Sequence, residues 1–107
     1  MRLSPLDLAF HAFEATAGFA YLRLDRYDEA SLWAERSLHR RPNNPDALRV
    51  LAMSCALSGH LEKAQRAMQR LLQLTPGARI ATGTPIYLSP ERRALFADAL
   101  RRAGMPE

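Results

Sequence analysis

Cysteine is almost missing from this 107-residue chain. Cys55 is the only one, so no internal disulfide can form and the fold must hold by packing alone. Long apolar runs are missing too: the most apolar stretch, Leu6 to Leu24, is interrupted by Asp7, His11, Glu14 and Arg23, too many charges for a bilayer span. No N-terminal segment joins a basic flank to an uninterrupted apolar run, so no leader or membrane anchor is expected, and a cytoplasmic location is the default. The three histidines, His11, His39 and His60, stand far apart, whereas zinc needs three or four convergent ligands at short spacing. There is no glycine-rich phosphate loop and no serine elbow, and Cys55 falls on an apolar stripe where a thiol stays protonated. No metal, cofactor or catalytic activity is therefore expected.

What is present is helical. Half the residues are hydrophobic (48%), only five are glycine, and Ala, Leu and Arg dominate, which suits one α-helical domain with a modest core. The net charge of +4 is uneven. Residues 1–44 balance six Arg against six acids, residues 45–78 carry four cations against two acids (+2), and residues 79–107 carry five Arg against three acids (+2). A basic excess of this size favours acidic partners, or weak nucleic-acid contact, through long-range steering. The adjacent pairs Arg40-Arg41, Arg92-Arg93 and Arg101-Arg102 lack interleaved stacking aromatics, so nucleic acid is the weaker expectation.

The strongest signal is recurrence at 34 residues. Gly18 is answered by Ala52, Tyr21 by Cys55, Tyr27 by Leu61, Asp28 by Glu62, Ala30 by Ala64, Leu38 by Leu72 and Pro42 by Pro76. That period belongs to a helix-turn-helix repeat. In chain order, Ser4-Pro5-Leu6-Asp7 opens a first helix predicted to reach Leu24, and Asp25-Arg26 makes a turn whose counterpart is Gly59. Further helices are predicted over about 27–41, 44–58 and 61–74, the third opened by Asn44-Pro45-Asp46. Gly83, Pro85 and two Thr argue for a loop over 79–88. Ser89-Pro90-Glu91 opens a fifth helix over about 90–103, stopped by Gly104, which covers the flank of the fourth.

The recurring residues resemble the tetratricopeptide repeat family. The resemblance covers residues 11–78, as repeat 1 (about 11–44) and repeat 2 (45–78), with Gly18, Tyr21, Ala30 and Pro42 matched by Ala52, Cys55, Ala64 and Pro76. It departs where an aromatic is usual, at Glu14 or Leu48 and at Ala34 or Met68. The implied architecture is an α-α superhelix of two repeats plus a C-terminal capping helix. The flanks, Leu3-Ser4-Pro5-Leu6-Asp7 and residues 99–107, resemble those of the repeat module in bacterial adenylate or guanylate cyclases and related winged-helix regulators.

By that resemblance, the inner surface of the stack carries Ala12, Ala15, Thr16, Phe19, Leu22 and Arg23, then Asp46, Arg49, Val50, Met53, Ala56 and Leu57. Phe19, Arg23, Arg49 and Met53 are the expected partner contacts in an apolar trough with Arg at its margin. The Lys and Asn with which some family members clamp a peptide carboxylate do not occur at these places. The alternative is that the fifth helix or residues 80–87 fold back over Phe19 and Met53. Trp33 is expected to pack on the chain's own first turn. The implied function is non-catalytic binding of an acidic protein or peptide segment. With only two repeats to cover the ends, a homodimer is a further expectation.

Overall fold

The computed structural model describes residues 17–80 and 89–107, and the protein is all-α. Helix α1 is described over residues 17–23. It is followed by α2 (Tyr27–Arg40), α3 (Pro45–Leu57), α4 (Leu61–Leu74) and α5 (Pro90–Ala103). The start of the first helix, its Ser4 cap, His11 and the predicted loop from residue 81 to 88 lie outside the described residues. Ile80 itself has helical backbone rather than loop.

The 34-residue period is written into the backbone. Five hydrogen bonds outside regular helix recur at that spacing: Leu24 N to Ala20 O with Ser58 N to Ser54 O, Arg26 N to Tyr21 O with His60 N to Cys55 O, Ala30 N to Arg26 O with Ala64 N to His60 O, Arg41 N to Ser37 O with Thr75 N to Leu71 O, and Asn44 N to Arg41 O with Ala78 N to Thr75 O. The caps repeat as closely. Arg26 has φ −100°, ψ 73° and His60 φ −98°, ψ 63°, while Arg41 has φ −133°, ψ 86° and Thr75 φ −134°, ψ 79°. The turns between paired helices need a left-handed residue, supplied by Asp25 (φ 60°) and Gly59 (φ 88°). Among the described residues the chain is thus a helical repeat, with two helix-turn-helix units in succession.

Helix α3 is the centre. Ala47, Leu48 and every residue from Val50 to Ala56 are buried, as expected of a helix apolar all round. It packs against α2, α4 and α5. The outer helices bury narrower stripes: Ala30, Ala34 and Ser37 on α2, and Ala64, Ala67, Met68 and Leu71 on α4. Small residues dominate these stripes and let the helices approach closely.

Helix α5 begins where Ser89 accepts from Arg92 N at 3.3 Å, with Pro90 in the first turn. It stops at Gly104 (φ 111°), where Met105 N donates to Leu100 O at 3.0 Å and Met105 is itself buried, a Schellman-type ending. Rather than covering only the flank of α4, α5 packs mainly on α3 and also on α4. Phe96, Ala99, Leu100 and Ala103 are all buried, while Leu95, next to Phe96, is 37% exposed.

Candidate interaction surface

Of the four residues expected to line a trough, the structure leaves three accessible. Phe19 is half-buried and packed against the core, Arg23 is exposed, and Arg49 is half-buried. Met53 corrects the expectation: it is fully buried, as are its neighbours Val50, at 1% exposure, and Ala56. Helix α3 is enclosed over this stretch, packed against α2, α4 and α5 and met by α1 at Val50, so the alternative expectation of a covered Met53 is the one that holds. Burying Phe96 and Leu100 contributes roughly 1.5–3 kcal/mol each, so α5 stays seated on α3.

Around the accessible residues, polar contacts are local. Arg49 donates from Nη1 to Asp46 Oδ1 at 3.3 Å, an i,i+3 pair on α3, while its buried Nε has no hydrogen-bond partner. Gly18 explains how α1 meets α3: a Cβ there would stand 3.1 Å from Val50 Cγ1. Trp33 is half-buried and stacks on Tyr21 at 6.4 Å and 19°, with Arg26 over Tyr21 and Arg36 over Trp33, each at 5.4 Å. The indole is therefore engaged by the chain's own first turn.

A clamp fastens α5 to the turn of the first unit. Arg92 donates from Nη1 and Nη2 to the two carboxylate oxygens of Asp25 at 3.0 and 3.1 Å, and Tyr27 donates its hydroxyl to Oδ1 at 3.1 Å. These donors hold the Asp25 carboxyl below its ordinary range and raise Arg92, while burial and the neighbouring carboxylate raise Tyr27. At the other end of α5, Arg101 pairs with Glu107 and Asp98, and Ile80 N donates to Pro106 O at 2.9 Å.

Sequence reasoning missed two polar clusters inside the stack. Ser54 is fully buried, within 3.2 Å of Leu51 O as a donor, and shares a hydroxyl–hydroxyl hydrogen bond of 2.6 Å with Ser31 Oγ, which also lies 3.8 Å from Cys55 Sγ. Burial pushes the Cys55 thiol up, so it sits there as a neutral hydrogen-bonding group. Ser37, also fully buried, accepts from Asn44 Nδ2 at 3.2 Å, and Asn44 Oδ1 accepts from Asp46 N at 3.1 Å to cap α3. The available signal was Ser37 occupying the slot that Leu71 fills in the second unit.

Among the described residues no group of His, Cys, Asp or Glu is placed to hold a metal ion, and no helix is long and apolar enough to cross a membrane. No family model matches the chain. A UPF0162 protein of Xylella fastidiosa (strain Temecula1 / ATCC 700964) is 36% identical over 75 residues, and one of strain 9a5c is 35% identical over 75 residues. In both, the match takes in 67% of this chain and 27% of the relative, so the chain spans about a quarter of the length of the curated relatives it matches.

Proposed function

We propose that this chain is a non-catalytic protein-binding module of tetratricopeptide type, built from two repeats and a closing helix. The observation that carries the reading is the recurrence, at 34 residues, of turn hydrogen bonds and cap dihedrals together with buried Ala30 and Ala64. Stacked units of that kind present extended surfaces to other chains. The docking surface in this reading is what remains accessible of the trough: Phe19, Arg23 and Arg49. Arg49, half-buried at the margin of the trough, is the cation that an acidic residue of the partner would meet there. The one thiol of the chain, buried and held protonated, suits a structural role better than a nucleophilic one.

Replacing Phe19 with Asp and Arg49 with Glu is expected to abolish capture of a protein partner from the source cell's extract while the circular dichroism stays helical. Capture at the original level would remove this surface from the account. A cytoplasmic location and a link to a bacterial signalling system belong to the same proposal; the second rests on the flanking resemblance. Nucleic-acid binding through the C-terminal arginines is the weaker reading, since Arg92, Arg101 and Arg102 are engaged by Asp25, Glu107 and Asp98.

A further inference from the structure

The net positive charge is not where the sequence totals put it. Ion pairs occupy most C-terminal arginines, and likewise Arg26 (with Glu29) and Arg49 (with Asp46). Among the described residues Arg36, Arg41, Arg66, Arg70 and Arg93 form no ion pair with a carboxylate. Of these, Arg41, Arg66 and Arg70 lie along one seam. Helix α4 is bridged to α2 at Lys63–Glu35 and to the α2–α3 loop where Arg70 Nη2 donates to Asn43 Oδ1 at 2.6 Å. Arg66 lies between these bridges, one turn from Arg70 on the same exposed face of α4. The second bridge brings Arg70 to the α2–α3 loop, where Arg40, Arg41 and Asn43 help line an open depression of about 510 Å³.

The acids of these elements offset little of this. Glu35, Asp46 and Glu29 are held by Lys63, Arg49 and Arg26, Asp28 stands in the first turn of α2 at the opposite end from the depression, and Glu62, four residues before Arg66, is not within ion-pair distance of it. After Glu62, α4 has no further acid; its exposed polar positions are Lys63, Gln65, Arg66, Gln69, Arg70 and Gln73, and Leu74 is exposed at its end.

We propose that this seam, with the depression at the C-terminal end of α2, is a docking surface for an acidic segment of another protein. The inference rests on the protein-binding reading but moves the contact to the outer side of the stack. Guanidinium groups match carboxylates through paired, planar hydrogen bonds, and of the 15 cationic residues in the chain only Lys63 is a lysine. The three exposed glutamines offer donors and acceptors for an extended backbone. Carboxylates fit better than nucleic acid, because α4 has no aromatic residue on which a base could stack and Trp33 is taken up by Tyr21 and Arg36.

The test uses the full chain and a fluorescein-labelled peptide of alternating Glu and Ala, followed by fluorescence anisotropy. The unmodified protein is expected to bind at low salt and to weaken as salt is added. The R66E/R70E variant should bind at least about tenfold more weakly with its thermal melt unchanged, whereas R93E should bind as the parent does. The proposal is overturned by no binding at low salt, by equal binding of R66E/R70E, or by preferential binding of a single-stranded oligonucleotide that the same variant loses. If only the Phe19 and Arg49 substitutions abolish partner capture, the seam is excluded and the module reading stands. If R66E/R70E abolishes capture and those substitutions do not, the seam is supported and the trough surface falls.

Discussion

Gly18 shows how closely one side chain is fitted. It lies in α1 against Val50 of α3, and a methyl group there would approach Val50 Cγ1 to 3.1 Å. Alanine would gain up to about 1 kcal/mol of helix propensity, but overpacking costs about 1–3 kcal/mol, and Val50 at 1% exposure has no room to yield. Gly18→Ala is therefore expected to destabilise the protein by about 1 kcal/mol in urea denaturation, and the same substitution made in a Val50→Ala background to stabilise it. This site was legible in the sequence, since a mid-helix glycine answered by Ala52 implies close approach. Met53 was legible only as one of two alternatives, because periodicity places it on a face of α3 and does not say whether that face is covered. Ser31, Ser37 and Ser54 were hidden for another reason: a hydroxyl in an apolar stripe gives no hint of the partner that lets it be buried.

Among the elements, helix ends were the most readable. Asn44-Pro45, Ser89-Pro90 and Gly104 mark boundaries that the structure keeps to within a residue, because caps act over a single turn. The basic seam was less legible. Adjacent pairs such as Arg40-Arg41 catch the eye, yet residues one apart diverge on a helix, while Arg66 and Arg70 share a face. The attachment of α5 gives a pH dependence. Its clamp holds the Asp25 carboxyl below the ordinary aspartate value of 3.8, so the contribution is present above that value and lost as pH falls through the lower, folded one. Glu107, lowered by Arg101, acts in the same direction at the other end of the helix. Thermal midpoints are expected to fall on acidification below about pH 4, and less steeply in Asp25→Asn combined with Glu107→Gln. An unchanged slope would show that neither pair holds α5 in place.

For the molecule as a whole, the two ends differ. Helix α5 turns Arg93, Asp98, Arg101 and Arg102 outward and closes one end with charge. The most exposed large apolar side chains among the described residues, Leu24 at 65% and Leu32 at 50%, both belong to the first unit. Self-association is accordingly proposed through that unit. Light scattering is expected to show a mass rising from 12.0 kDa towards twice that value with concentration, and Leu24→Lys with Leu32→Lys to hold it at the monomer. A constant monomer mass in the parent removes the dimer. The matched dihedrals at Arg26 and His60, and at Arg41 and Thr75, have one more consequence. They make the junction before Pro45 a place where a further 34-residue segment could be spliced in, because its backbone would enter and leave at angles the neighbouring units already adopt. The length of this array is thus set by how many copies are encoded, and an engineer could extend it without redesigning a single bend.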